Sequence, residues 1–345
     1  MQRPALARLA TCAGLAVAAA NLFASPRLGN IFMANLPGDT RTVAFDISRN
    51  ALIAGASFGP GPNRAVLWDY RTGATPLGLL PGTTESTAYG VNSSKTVVGA
   101  ATGSTGSRPF VWQPQSKMQV LPVPPNLLTG AALSVNEFDL IVGWAGVSSV
   151  RLPAMWNQEA RDFSPVLLPR LPGGRNGEAR RVSEEALITG WSGSLVGQRA
   201  VLWFGNSAPM DLGVLPGFTA SVGHGVNGRA QGVGSLSGPA GQRPFVWSES
   251  NGMKQLPLPP SMKEGWATDI SIDGTIVGTG VHANGQRYAI VWVQEVPFYA
   301  NLMVVRQRTS FRVTEANAIN DLGRIAMNWS SVGKQARGAI GILVN

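Results

Sequence analysis

Seven times along this chain an arginine stands four or five residues ahead of a large apolar side chain, and in six copies that side chain is tryptophan. The pairs are Arg64 and Trp68, Arg108 and Trp112, Arg151 and Trp156, Arg199 and Trp203, Arg243 and Trp247, and Arg287 and Trp292. Arg337 and Ile342 form a degenerate last copy. The copies recur every 44–50 residues. A fixed period of this size means that one supersecondary unit is repeated, and it constrains the architecture more than any single residue does.

Each copy carries more than the Arg and Trp. Upstream lies A-x-x-[VI]-[NS], as in Ala88–Asn92 and Ala132–Asn136; the fifth copy opens with Gly223 instead. A short apolar stretch ending in glycine follows, at Gly55, Gly99, Gly143, Gly190, Gly234 and Gly278, with Met327 in the seventh copy. These segments are short, rich in β-branched and aromatic residues, and bounded by Gly, Ser and Asn, so they read as strands and turns. Ser271-Ile272-Asp273-Gly274 and Asn320-Asp321-Leu322-Gly323 read as tight hairpins. Beyond the N-terminus, no window of ten residues has helical periodicity.

One unit is therefore four antiparallel strands, the pattern of a propeller blade. Seven units predict an all-β, seven-bladed β-propeller. The last copy ends at its third strand, while residues 30–36 form a spare strand ahead of the first copy. That spare strand is expected to complete the last blade, which would remove two open sheet edges. The repeated Trp is expected to pack between blades, where truncation to Ala costs roughly 3–5 kcal/mol. The Arg is expected to stack on an aromatic or to bond loop carbonyls between blades, rather than to form a basic binding ring. Where the spacing is five, at Arg151 and Arg287, a bulge or register change is expected.

Only 14% of the residues are charged, against roughly 25% on average, which suits blades that bury both faces. Several of the arginines behind the net charge of +9 sit at the repeat position, and no basic run or aromatic RNA platform accompanies them, so nucleic acid is not an expected partner. A mild attraction to acidic glycans or anionic envelope surfaces is compatible with the charge. Residues 1–25 combine Arg3 and Arg8 with the apolar run from Leu9 to Ala20, which reads as a signal peptide cleaved near 20–25. The run is too short and weak for a transmembrane span. Cys12, the only cysteine, lies inside it. The propeller would then occupy residues 26–345 of an exported monomer, periplasmic or extracellular, without a transmembrane segment.

The combined pattern is best seen in Leu80-Pro81-Gly82, Ala88–Asn92, Val97-Val98-Gly99 and Arg108-Pro109-Phe110-Val111-Trp112. It resembles the HAF repeat family of probable extracellular bacterial repeat proteins. That family's usual His-Ala-Phe triplet stands here as Arg-Pro-Phe or Arg-Ala-Val. The resemblance implies export and repetitive β structure, and it brings no catalytic residues with it.

Sequence signals of chemistry are sparse. The two histidines, His224 and His282, have no second metal ligand at useful spacing, and no metal or cofactor is expected. No nucleophile elbow or phosphate loop is present. Comparing the copies separates fold from function. The two positions inside A-x-x-V vary freely, and the first strand of a propeller blade lines the central channel. From these positions Asp46, Tyr89, Arg180, Arg181, His224, Asp269 and Asn317 are the candidate ligand contacts. The plainer alternative, weightier on sequence alone, is that they fill the channel and meet only water. Trp144, Trp191 and Trp329, beyond the repeated Trp, suit core packing better than a sugar-stacking patch.

The reading favours a non-catalytic module that binds a glycan or protein partner through one face of the ring. A polysaccharide hydrolase or lyase and a structural envelope or matrix protein are the alternatives. An enzyme would show two carboxylates converging about 5–10 Å apart at one channel mouth. A binding module would show an aromatic or polar rim instead.

Overall fold

A computed structural model describes residues 27–147, 149–157, 163–303, 311–331 and 334–344. The leader read over residues 1–25, Cys12 included, lies outside the described residues. The chain forms seven four-stranded antiparallel sheets. In six of them the strands lie in chain order. The innermost strands of blades 1 to 7 are Arg41–Ile47, Glu85–Val91, Thr129–Val135, Gly177–Val182, Ala220–Val226, Met262–Ile270 and Phe311–Ile319. A four-residue helix, Ala300–Met303, bridges blades 6 and 7.

The last blade is closed by the N-terminus, as the missing fourth strand predicts. Its outer strand is Arg27–Phe32, a few residues earlier than the segment 30–36. It pairs with Lys334–Val344 from Arg27 opposite Val344 to Phe32 opposite Ala339. Met33, just beyond, is buried with Ala44, Ile53, Trp68 and Ile340 at the junction of blades 7 and 1.

Every junction holds an apolar cluster, and six of the seven contain a repeated Trp. Three of these indoles also donate to a carbonyl at the end of the preceding blade: Trp156 to Pro122, Trp203 to Pro169 and Trp292 to Pro257, at 2.7–2.8 Å. The Trp thus both packs and bonds between blades. The junction of blades 6 and 7, whose copy lacks the Trp, is filled by Val291, Met303, Ile325 and Met327. Met327 stands where other copies have glycine. A Cβ on Gly99 would lie 2.0 Å from the Thr87 carbonyl oxygen and 2.7 Å from the Phe110 ring; one on Gly278 would lie 3.0 Å from the Trp292 ring. These glycines exist because backbone and aromatic approach them too closely for any side chain.

The Asn that closes the inner strand has two roles. Its side-chain oxygen accepts N–H groups of its own hairpin, as Asn227 does from Arg229 and Gln231. Its amide donates to the matching carbonyl of the next blade: Asn92 to Asn136, Asn136 to Ser183, Asn227 to Ser271 and Asn320 to Ser48, at 2.8–3.0 Å. Ser48 and Ser183 at this position keep the first role, accepting from Leu52 and Leu187, but are too short for the second. Asn227→Ser should therefore preserve the hairpin yet cost about 1–2 kcal/mol, because a buried carbonyl loses its donor. Chemical denaturation measures that loss, and an unchanged midpoint would contradict the bridging role.

The expected bulge at Arg151 and Arg287 is absent. The register of both third strands runs unbroken from Arg to Trp. Five positions apart, Arg and Trp simply face opposite sides of the strand, so these two arginines turn toward the following blade. The bulge lies instead in the inner strand of every blade, directly after the Ala or Gly of A-x-x-V.

Candidate functional site: the broad channel mouth

The seven bulge residues, Phe45, Tyr89, Leu133, Arg180, His224, Thr268 and Asn317, all line one concavity of about 730 Å³. A bulge re-aims a side chain out of the regular pleat, and seven in register build a ring around the channel mouth. The residues immediately following sit deeper. Asp46 and Asp269 border a smaller cavity of about 280 Å³ on the opposite side, and Arg181 borders both. Two of the predicted contacts, Asp46 and Asp269, therefore do not reach the broad mouth, because the bulge separates neighbouring positions in depth.

Arg181 spans the channel. Its guanidinium meets Asp46 Oδ1 at 2.6 Å and Asp269 Oδ2 at 2.8 Å, tying blade 4 to blades 1 and 6. Each Asp also accepts a backbone N–H from the next blade, Asp46 from Val91 and Asp269 from Ile319. Burial pushes the Asp269 carboxyl up to about 6, against the pull of Arg181 and with Asp46 adding to the rise. Burial also opposes charge on Arg181, but the two carboxylates outweigh it and hold its proton more tightly than usual. Burial sets the direction at Asp269, and the pair of carboxylates sets it at Arg181.

The mouth itself is aromatic and charged. Phe45 and Tyr89 meet edge to face at 5.4 Å. Trp144 and Trp266 also line it. Arg151, one of the two turned arginines, lies over the Trp144 ring at 4.5 Å and bonds Glu178 at 3.2 Å. Glu178 is buried and is also approached by Arg180 Nε at 3.4 Å. Arg180 Nη1 donates to His224 Nδ1 at 2.9 Å, which leaves the ring proton on Nε2, 3.0 Å from Ser235 Oγ. Burial, aided by Arg180, pushes the His224 imidazolium down to about 3, so the ring is neutral with both nitrogens engaged. Asn317 donates to the Ala44 carbonyl at 2.7 Å. The candidate residues are thus largely partnered with one another around the ring.

The other repeated arginines bond mostly near the blade junctions. Arg64 pairs with Asp39 at 2.7 Å, and Arg108 bonds the Pro81 carbonyl. Arg199 and Arg243 reach the Thr219 and Lys263 carbonyls. Arg287 repeats the Arg151 arrangement, with Glu315 at 2.7 Å and Trp266 at 5.7 Å. Arg337 is exposed opposite Trp329. Trp329 is buried and Trp191 half-buried, as core packing predicts, whereas Trp144 is buried at the edge of the mouth. Sequence reasoning missed Trp266, Glu178 and the position of Arg151 at this mouth. Among the described residues, no three His, Cys, Asp or Glu side chains stand close enough to share a metal ion.

No protein-family model and no curated protein matches the sequence. Solved structures do match in shape. A streptogramin B lyase aligns over 92% of this chain and 98% of its own, with a TM-score of 0.55 at 11% identity. An oligogalacturonate lyase in complex with manganese aligns over 92% and 97%, with a TM-score of 0.55 at 10% identity. YCF48 bound to a D1 peptide aligns over 92% and 96%, with a TM-score of 0.54 at 10% identity. At such identities the likeness establishes the propeller fold and nothing about activity. No helix among the described residues is long and apolar enough to cross a membrane.

Proposed function

We propose that this propeller is a non-catalytic binding module that takes a glycan into its broad mouth. The observation that carries this reading is the composition of that mouth. Four aromatic side chains, Phe45, Tyr89, Trp144 and Trp266, surround a concavity of about 730 Å³. The acid and base at its centre are already locked to their neighbours: Glu178 lies between Arg151 and Arg180, and His224 uses both ring nitrogens. A general acid or base must be free to exchange its proton with substrate, and these groups are not. Aromatic faces and polar edges suit sugar rings, which present apolar C–H patches and hydroxyls together.

A protein partner is the second reading. Leu195 and Val196, at 83% and 71% exposure, project from the hairpin between the second and third strands of blade 4. The matching hairpin of blade 2 borders the mouth through Thr102 and Ser107, so both hairpins lie on the same face of the ring. The leader over 1–25 and the HAF-like repeats support placing this binding in the periplasm or outside the cell, in a monomer.

A glycan array probed with residues 26–345, run beside a polysaccharide-cleavage screen, tests the reading. Binding without turnover is expected, and Trp266→Ala should weaken it by about tenfold, the loss of an anchoring side chain. Released oligosaccharide would sink the non-catalytic reading. An empty array with a protein captured through Leu195 and Val196 would favour the second.

A further inference from the structure

We infer that the mouth selects carboxylated sugars, with Arg151 and Arg180 holding a uronate carboxylate while the sugar rings pack against the aromatic side chains that line the mouth. This rests on the glycan-binding reading above and narrows it. The charged side chains lining the mouth are Arg151, Arg180, Arg181, Glu85 and Glu178. Arg181 is saturated by Asp46 and Asp269, which border the other cavity. Glu85 stands exposed at the rim, within 3.4 Å of Asn63. At the centre, a single buried carboxylate, Glu178, serves two guanidiniums. It does not saturate them. Arg180 Nε lies 3.4 Å from Glu178 Oε1 yet makes no aligned hydrogen bond among the described residues.

The position of Arg151 points the same way. Its guanidinium carbon lies over the Trp144 ring at 4.5 Å, which restrains the fork. Its side chain nevertheless remains 54% exposed, with one hydrogen bond, from Nη1 to Glu178. A planar fork held by an aromatic and open at its edge is arranged for a planar two-oxygen anion. A carboxylate matches that plane better than a tetrahedral sulfate does. Neutral His224 offers no competing charge and accepts from Arg180 Nη1.

The test compares oligogalacturonate with its methyl ester, which keeps the sugar and removes the charge. A sulfated galactan and poly-glutamate are run alongside. Calorimetry on the whole chain should show the acid form bound at least about tenfold more tightly than the ester, with affinity falling as salt rises. Arg151→Gln and Arg180→Gln should each erase the preference for the acid, read as the ratio of acid to ester affinity in the same variant. Glu178→Gln should strengthen binding of the acid several-fold, a gain that mere structural damage does not produce. Melting curves verify that each variant is folded, and Arg151→Gln alone decides the matter if Glu178→Gln is not. Equal binding of acid and ester, tighter binding of the sulfated galactan or poly-glutamate, or a preference that survives both Arg substitutions would overturn the inference. In those cases glycan binding as such can still stand. Absence of binding to any glycan would overturn the broader reading with it.

Discussion

A chain that starts at residue 37 is expected to lose its closed ring. It lacks the outer strand Arg27–Phe32 and Met33, and both act on the same seam. The strand pairs along six positions of Lys334–Val344. Met33 fills the junction between blades 7 and 1 and donates its backbone N–H to Gly338 at 3.0 Å. Removing a buried Met side chain alone costs about 2–5 kcal/mol. The bared edge of the last blade becomes a template for intermolecular pairing. The expected result, against a chain starting at residue 26, is a loss of roughly 5 kcal/mol or more and concentration-dependent association. A peptide of residues 27–36 supplied in trans should restore much of the loss by strand addition. Matching melting curves for the two chains would show that the seam holds without its strand.

Arg181→Met is the second large effect. The guanidinium is the counter-charge of two carboxylates that are 3% and 2% exposed. Breaking a buried ionic cluster by removing one partner costs about 3–5 kcal/mol. Replacing all three members, as Asp46→Asn, Arg181→Met and Asp269→Asn together, should recover most of it, because no buried charge is then stranded. The pH dependence has a definite sign. The folded-state pKa of Asp269, about 6, lies above its unfolded value near 3.9. Its contribution to stability is therefore full below about pH 4 and is lost as pH rises through 6. Relative to Asp269→Asn, the parent should gain stability when pH falls from 7.5 to 4.5. His224 acts in the opposite direction, since its lowered pKa favours the fold above pH 6.5 and withdraws that support toward 3. Using Asp269→Asn as the reference cancels the histidine. An Arg181→Met variant within about 1 kcal/mol of the parent at pH 7.5 would contradict the account.

The ring was readable from the Trp period because each Trp answers to one demand, the gap between two blades. The closing strand was readable because the last copy stops one strand short. The inner-strand bulge was not, since an extra residue is visible only against its pairing partner, and A-x-x-V has the same length in every copy. That is also why the channel-lining positions could be named while their depth could not: Arg180 and Arg181 are adjacent in the chain, yet one rings the broad mouth and the other spans the axis. Arg151 and Arg287 left a subtler trace. Among the six copies that keep the Trp, their five-residue spacing occurs in copies 3 and 6, and only copies 4 and 7 place Glu, at Glu178 and Glu315, just before the Ala of the inner strand. Each turned arginine has its acid waiting in the next blade. Reading that signal needs both the ring order and the facing rule. Trp266 holds the same position as those two acids, in copy 6, so its place at the mouth follows from the same register.

The strand that seals the ring leaves the ribosome well ahead of its partner, because Arg27–Phe32 and Lys334–Val344 lie at opposite ends of the seven-blade array. At roughly 5–20 residues per second, Arg27–Phe32 waits on the order of half a minute before Lys334–Val344 exists to receive it. Until then no sequence of local folding events can finish the molecule. Through that interval the nascent chain stays an unfinished string of sheets, and closure is a single late event that joins two segments made far apart in time.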